Sequence, residues 1–284
     1  MRKLLVTTLC GCGLLFTGHV KAEESYLIWS RLDENFAARH LVQLALEKTE
    51  KEYGKAVVKN ASKMEQARGF KELKKGKTID IMSGAVNAER EKDYLPIRIP
   101  VQKGLLGYRV CLIKEGSEKK FEGIKSLEDW KARKISIGQG THWPDTTILK
   151  ASGFQVMTSP RYESLFSMLK KERFDCFARA ASEVSNELKK YGKEMGLVLE
   201  KKLALVYRMP DFLWVNKNNS KLQERLLKGA EIAIADGSYG KVVDRLYADA
   251  LKFLSGRTLI AIENPGLSQE TKTLEGRKEF WIKL

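Results

Sequence analysis

The sequence predicts an α/β protein, because short apolar strands alternate with helical patterns along most of the chain. Residues 26–29 and 108–113 are typical strands, whereas residues 37–52 and 162–171 carry apolar side chains at helical spacing. Such alternation indicates βαβ units and mainly parallel sheets that helices cover on both faces. Further strands are predicted at residues 79–82, 134–138, 155–158 and 174–177, a further helix at 62–75, and two amphipathic helices around a turn at 236–240.

The N-terminal segment has the three parts of a secretory signal peptide. Arg2 and Lys3 form a basic start, residues 4–16 form an apolar run too short to span a bilayer, and Ala22 ends a cleavage site. We therefore expect cleavage after Ala22 and a periplasmic protein. One alternative is a buried N-terminal helix, which three glycines in the segment disfavour. The other is a lipoprotein, because residues 9–12 loosely resemble a lipobox.

The chain is strongly basic, with a net charge of +15 that falls to +12 without residues 1–22. A basic protein can bind nucleic acid or an anionic surface. Here the lysines are scattered in pairs beside acids, as at residues 119–120 and 201–202, and no basic stripe is interleaved with aromatic residues. We therefore predict a solvated basic surface and no nucleic-acid partner.

Only two cysteines remain after the signal peptide, Cys111 and Cys176. Neither belongs to a CxxC pair, and the histidines that remain are His40 and His142, so we expect no metal site and no cofactor. Each cysteine lies in an apolar run, where a small buried hydrophobe is the commonest role. An oxidising compartment would also permit a bridge between them.

About 262 residues follow the signal peptide, which is enough for one large or two modest domains. No low-complexity linker and no internal repeat divides them. Two lobes would therefore be joined by more than one crossing of the chain. The prolines in residues 96–100 favour extended backbone and a first crossing, and residues 207–214 would form the return.

Several motifs occur in a fixed order along the chain. They are residues 79–83 followed by Glu89-Arg90, residues 125–130 followed by 134–138, residues 172–175, and the turn at 236–240. With this ordered set the chain resembles the family 3 extracytoplasmic solute-binding proteins, the receptors of amino-acid ABC importers, over most of residues 25–254. It is also similar to a branch of uncharacterised transporter substrate-binding-domain proteins, through residues 95–100, 103–109, 140–146 and 264–281.

The resemblance implies a periplasmic binding protein-like type II fold, with two lobes joined by a hinge of two crossings. Lobe 1 would comprise residues 23–103 and 206–255, and lobe 2 would comprise residues 104–205. Ligands of such receptors lie in the cleft between the lobes, which closes by hinge motion. The implied partners are a small-molecule ligand and a membrane permease or a sensor, and we expect a monomer.

Arg90 is the first candidate ligand-binding residue. In the family the arginine at this position pairs with a ligand carboxylate, which suits the planar fork and permanent charge of a guanidinium. A surface salt bridge with Glu89 or Glu91 is the alternative. Ser83 would add a hydroxyl to the same oxyanion.

Thr141 and Trp143 follow a predicted strand-to-helix turn. Thr141 would present backbone N–H groups to an anion at a helix N terminus, or simply cap that helix. Trp143 would line the cleft or pack in the core.

The chain departs from the amino-acid-receptor pattern at Ala180, where the family usually has an acid for the ligand ammonium group. Arg179 and Glu183 flank this position, either as ligand-binding residues or as a structural ion pair. We therefore predict an anionic or larger polar ligand.

An enzymatic function is the alternative, because periplasmic cyclohexadienyl dehydratases resemble these receptors. It would require a general acid in the cleft. The available carboxylates, Asp145, Glu163 and Glu183, form no pair by spacing. We therefore predict a binding protein and no enzyme.

Residues 256–284 are predicted to be an extension beyond the receptor fold. Residues 260–262 would form an edge strand, and residues 280–282 would pack on lobe 1. A strip that docks a partner is the alternative.

Overall fold

Two β-sheets organise the chain in the computed structural model, which describes residues 23–29 and 36–282. The predicted signal peptide lies outside the described residues. No helix in the described ranges is both long enough and apolar enough to cross a membrane.

The first sheet has five strands in the order β2-β1-β3-β11-β4. These strands are β1 (Glu24–Ile28), β2 (Ala56–Asn60), β3 (Ile81–Ala85), β4 (Tyr94–Ile97) and β11 (Asp211–Asn216). β1 runs parallel to β2 and β3, whereas β11 is antiparallel to β3 and β4. Every residue of β3 is buried, as expected for a strand covered on both faces.

The second sheet has seven strands, six of them in the order β12-β10-β5-β8-β6-β7, with β9 paired to β5. They are β5 (Tyr108–Lys114), β6 (Ser136–Gly140), β7 (Gln155–Ser159), β8 (Cys176–Ala180), β9 (Leu197–Leu199), β10 (Leu203–Val206) and β12 (Thr258–Ala261). β6 is parallel to β7 and β8, and β10 is parallel to β12, but β5 is antiparallel to its three partners. The two-sheet α/β architecture is confirmed, but the prediction of mainly parallel sheets is wrong, because β5 and β11 each run against their neighbours.

Helices cover both sheets. They are α1 (Phe36–Lys48), α2 (Glu50–Tyr53), α3 (Gln66–Lys75), α4 (Ala88–Asp93), α5 (Leu127–Ala132), α6 (Pro144–Ala151), α7 (Tyr162–Lys170), α8 (Val184–Glu187), α9 (Lys193–Met195), α10 (Ser220–Ala235), α11 (Ser238–Leu246), α12 (Ala248–Leu254) and α13 (Gln269–Lys272). α1 packs closely on α10, where a Cβ at Gly229 would overlap the backbone carbonyl of Ala45. This glycine is therefore what allows the two helices to approach each other.

Two segments join consecutive strands of the two sheets, residues 98–104 between β4 and β5 and residues 207–210 between β10 and β11, and we call them the hinge. The amide of Val101 donates to the carbonyl of Asp211 over 2.9 Å, and the Gln102 side-chain amide donates to the Asp211 carboxylate over 3.0 Å. The predicted crossings were too long, because residues 96–97 end β4 and residues 211–214 belong to β11.

The edge strand predicted in the C-terminal extension is present as β12, but the expectation that the extension packs on lobe 1 is incomplete. Its strand β12 joins the edge of the second sheet and pairs with β10 from Leu203–Thr258 to Val206–Ala261. The correction has a simple cause, since β10 would otherwise leave its ladder groups unpaired. The division into lobes at residues 103 and 206 stays a prediction.

Cys111 and Cys176 form a disulfide between the neighbouring strands β5 and β8, with their Cα atoms 5.0 Å apart. Of the two roles left open by the sequence, the structure has the bridge. Both residues are also buried, at 4% and 0% exposed, so the disulfide is part of the core of the second sheet.

Candidate functional site

The predicted site residues lie on strands β3 and β8 or follow the carboxyl ends of β3, β6 and β8. In open α/β sheets ligands bind in the crevice outside these ends. Arg90 lies on α4 after β3, Thr141 follows β6, and Glu183 follows β8. The amide of Val86, just past β3, donates to the Pro210 carbonyl over 2.9 Å, so this end of the first sheet lies beside the hinge.

Arg90 is buried, with 7% of its surface exposed. The side chain of Asn87 caps α4 by accepting the Arg90 amide, which fixes the start of the helix. The guanidinium donates from Nη1 to the Ala85 carbonyl and from Nη2 to Gln66 Oε1 over 3.0 Å. It also lies 4.2 Å from the centre of the Phe70 ring. These three contacts of the Arg90 guanidinium are therefore with neutral groups.

Within residues 23–29 and 36–282, no carboxylate lies within 4.0 Å of the Arg90 guanidinium, so the expected surface salt bridge with Glu89 or Glu91 is not formed. Burial lowers the pKa of Arg90 to about 10, against the weaker opposing effects of Tyr94, Glu89 and Asp145. Arg90 thus keeps a buried charge that neutral groups solvate. An anionic ligand would supply the missing counter-charge.

Ser83 lies on β3, where it is buried and 4% exposed. A Cβ at the next residue, Gly84, would lie 2.9 Å from Nη1 of Arg90, so the guanidinium approaches the Gly84 face of the strand. Successive side chains of a strand point to opposite faces, which directs the Ser83 hydroxyl away from Arg90. The arrangement does not support a shared oxyanion.

Thr141 is exposed, and its amide donates to the carbonyl of Ser159 over 3.0 Å, continuing the β6–β7 ladder. Helix α6 begins at Pro144, and its N-cap position is Trp143. The prediction that Thr141 caps the helix is therefore wrong by two residues, because Pro144 at the first helical position sets the start.

Trp143 is half-buried and forms an aromatic cluster with Tyr162 and Phe177. Its ring is stacked on Phe177 at 6.3 Å between centroids and lies 6.2 Å from Tyr162. The guanidinium of Arg179 lies over these three rings, 4.8 Å from Trp143. Trp143 thus packs between the core and the charged cluster described next.

Arg179 is held by two carboxylates. Nη2 lies 2.7 Å from Glu187 Oε1 and 2.6 Å from Glu183 Oε2, and Nε donates to Glu187 as well. Burial opposes the charge of Arg179, but Glu187 and Glu183 together raise its pKa well above the usual value. Among the two roles open for Arg179 and Glu183, the structure contains the ion pair, and it leaves Arg179 poorly placed to bind a ligand anion.

Glu183 keeps the more open position in this cluster, with 38% of its side chain exposed against 7% for Glu187. Burial and the charge of Glu187 hold its pKa above the usual value, against the attraction of Arg179. Ala180, the position where the family usually has an acid, is fully buried. A cationic ligand group would therefore meet Glu183 rather than residue 180.

A second buried ion pair was not predicted from the sequence. Arg109 on β5 and Asp145 on α6 lie 2.7 Å apart, with side chains only 4% and 5% exposed. The Tyr207 hydroxyl, in the hinge, donates to the same carboxylate and accepts from Arg109 Nε over 3.2 Å. The available signal was a charged residue at the start of an apolar strand, which is unfavourable unless it is paired.

The two ion pairs connect the second sheet to the first lobe electrostatically. The charge of Asp145 contributes to the pKa of Arg90, and that of Glu183 helps to raise the pKa of Tyr247, after the larger effects of burial and Asp211. Arg90 and Tyr247 lie on elements that pack with the first sheet.

Comparison with solved structures finds similar folds over most of this chain. An ancestral arginine-binding protein bound to glutamine is 21% identical, with a TM-score of 0.55, and the match covers 80% of this chain and 99% of that one. A periplasmic His/Glu/Gln/Arg/opine family-binding protein from Silicibacter pomeroyi, in complex with lysine, is 10% identical, with a TM-score of 0.55 and coverage of 75% and 87%. The chain has the fold of these amino-acid-binding proteins.

A third match is an ancestral amino acid-binding protein, a precursor of cyclohexadienyl dehydratase. It is 16% identical with a TM-score of 0.54, and the match covers 79% of this chain and 94% of that one. No protein-family model and no curated protein sequence matches this chain. The predicted periplasmic binding protein-like type II fold is thus confirmed at the level of structure.

Proposed function

We propose that this chain is a periplasmic solute-binding protein that closes its two lobes on a small polar ligand bearing a carboxylate. Arg90 binds that carboxylate. Glu183, at the carboxyl end of β8, is the acid available to a cationic group of the same ligand. The ligand class therefore includes amino acids as well as simple carboxylates.

The observation that carries this proposal is the environment of Arg90. A buried guanidinium with neutral partners and a lowered pKa is costly unless something compensates for it. A ligand carboxylate can form two parallel hydrogen bonds with it, and closure of the lobes would remove water from the pair. The fold supports the same function, since the matched proteins are amino-acid binders.

The pairing of the carboxylates supports binding without chemistry. Asp145 is bonded to Arg109 and Tyr207, and Glu183 is bonded to Arg179, so these two carboxylates have cationic partners. Glu163 is exposed on α7. A general acid requires a carboxyl group that holds its proton near neutral pH, and Glu183, whose pKa is raised by burial and by Glu187, is the carboxyl group to test for that role.

The proposed location and partners follow from the sequence. Residues 1–22 would direct export, and the mature protein would deliver its ligand to an ABC permease or present it to a sensor. No nucleic-acid partner, no cofactor and no metal is proposed. We propose that the protein acts as a monomer.

The test begins with a thermal-shift screen of amino acids, other carboxylates, sugars and peptides, because a ligand that binds only the folded state raises the melting temperature. Calorimetry with a stabilising compound should then show that Arg90→Ala loses roughly 2–5 kcal/mol of binding, as when one partner of a desolvated pair is removed. Arg90→Lys should recover only part, since a point charge lacks the bidentate fork. Arg133→Ala, at an exposed arginine of the second lobe, is the matched control.

Unchanged affinity in folded Arg90→Ala would remove Arg90 from the site. Selective binding of uncharged sugars would contradict the ligand class. Conversion of a stabilising compound into a product would replace the binding function by an enzymatic one.

A further inference from the structure

The described part of the extension, residues 256–282, passes from the first lobe to the second sheet and back again. It leaves α12, which packs on α11 beside α1 and α10, adds β12 to the second sheet, and returns to contact α4 and α10. We propose that residues 256–282 form a strap that limits how far the two lobes can move apart. This inference rests on the hinge motion in the proposed function and adds a restraint to it.

The strap is anchored to the second sheet by backbone hydrogen bonds. β12 pairs with β10 over four residues, and the amides of Thr258 and Ile262 donate to Lys202 and Val206 over 2.8 and 2.9 Å. Arg257 reinforces this anchor, since its Nη1 donates to the carbonyls of Glu200 and Leu203 over 2.7 and 2.9 Å. This end of the strap moves with the second sheet.

The other end is anchored to the first lobe by side chains. Glu91 of α4, with only 9% of its side chain exposed, accepts hydrogen bonds from Ser268 and Thr271, each over 2.9 Å, and also pairs with Arg98. Further along, Arg277 forms two hydrogen bonds with Glu231 of α10, over 3.2 and 2.9 Å. This end of the strap moves with the first lobe.

The strap also lies against both segments of the hinge, through Asn264 between the anchors and through Trp281 and Ile282 after them. Asn264 donates to the Arg208 carbonyl over 2.8 Å, and the Arg208 guanidinium lies 4.5 Å from the centre of the Trp281 ring. That ring covers Gly104, where a Cβ would lie 2.6 Å from it, and the amide of Ile282 donates to Lys103 over 2.9 Å. A hinge rotation must therefore either carry the strap along or break these contacts.

The connection between the two anchors is short. Residues 262–267 join β12 to Ser268, and six residues span at most about 20 Å when fully extended. Here they include a turn, closed by the hydrogen bond from the Gly266 amide to Asn264 over 2.9 Å. If the lobes moved apart by more than this connection can extend, either the pairing of β12 with β10 or the hydrogen bonds to Glu91 would have to break.

Lengthening the connection tests the proposal while both anchors stay intact. A flexible Gly-Ser segment of about eight residues would be inserted between Pro265 and Gly266, which are both exposed, so that the insertion costs little stability. The matched control carries the same insertion between Glu115 and Gly116, at an exposed turn of the second sheet. Spin labels on Lys59→Cys in β2 and Met157→Cys in β7, at exposed positions on the two sheets, report the distance between lobes by pulsed electron paramagnetic resonance.

In ligand-free protein we expect the insertion after Pro265 to broaden the distance distribution and shift it to longer distances, while the Gly116 insertion leaves it unchanged. Hydrogen exchange at the β12 and Thr271 amides should confirm that both anchors remain. An unchanged distribution with intact anchors would overturn the strap. Because this measurement uses no ligand, its failure would leave the proposed binding function untouched, and failure of the ligand screen would leave the strap untouched.

Discussion

The guanidinium of Arg90 lies 4.2 Å from the centre of the Phe70 ring, on the first-lobe side of the cleft. The face of an aromatic ring stabilises a cation by roughly 0.5–2 kcal/mol. This is less than the stabilisation that water or a carboxylate would give the guanidinium. The charge is therefore held at a cost to the folded protein, which has a consequence that can be measured without any ligand.

The first prediction concerns pH. The pKa of Arg90 falls to about 10 in the folded protein, well below its value in the unfolded chain, because burial disfavours the charged form. The unfolded chain therefore binds the proton more tightly between these values, and this residue's contribution to the unfolding free energy rises with pH across that window. Below that pH window, the full cost of burying the charge of Arg90 destabilises the folded protein.

Comparing wild type with Arg90→Met by urea unfolding should show wild type gaining stability relative to the variant as pH passes above about 10. A pH-independent difference would contradict a desolvated charge at Arg90.

A second prediction concerns the buried pair of Arg109 and Asp145. Asp145→Asn leaves a buried guanidinium without its counter-charge and should destabilise the protein by about 3–5 kcal/mol. Replacing both residues by apolar ones of similar size should recover most of that loss. Urea denaturation of the single and double variants measures both changes in the free energy of unfolding. If the double variant is as unstable as the single one, the ion pair itself is needed for stability.

The contact of α1 with α10 gives a third prediction. Gly229→Ala places a methyl group against the backbone of Ala45, so overpacking of roughly 1–3 kcal/mol should outweigh the better helix propensity of alanine. Gly240→Ala in α11 is the control, since a Cβ there would lie 3.8 Å from the amine at the end of the Lys103 side chain. We expect Gly240→Ala to be neutral or stabilising by thermal unfolding. Equal effects at the two positions would mean that the helices can separate without cost.

The disulfide gives a fourth prediction. It closes a loop with a sequence separation of 65 residues, so Cys111→Ala with Cys176→Ala should lower the free energy of unfolding by about 2–5 kcal/mol. Adding a reductant should favour unfolding of the wild-type protein, because the reduced chain gains conformational entropy when it unfolds, and should leave the double variant unaffected. Free thiols in the folded, exported protein would contradict the bridge.

The local patterns of the sequence predicted much of the fold. Apolar patterns located β5, β7 and α7 to within one residue at each end, because β5 is a continuous apolar run and β7 and α7 follow the strand and helix periods. They missed β2, and they assigned residues 211–214 to the hinge, because a buried strand such as β11 carries no alternation to distinguish it from a crossing.

The candidate site was harder to predict. Arg90 was identified through the resemblance, but its partners Gln66 and Phe70 come from a distant segment that no local pattern links to it. The same holds for Arg109, Asp145 and Tyr207, which meet only after the sheet and the hinge have formed. Thr141 does not cap α6, because the helix begins at Pro144 and its N-cap position is Trp143.

Strand β12 also has a consequence for self-association. Without it, β10 would be the edge of the second sheet and would offer a row of open backbone groups to another chain. β12 closes that row with only four residues and is flanked by the charged Arg257 and Glu263, features that discourage further strand addition. A protein shortened after Leu254 should therefore aggregate through β10 even where its two lobes still fold.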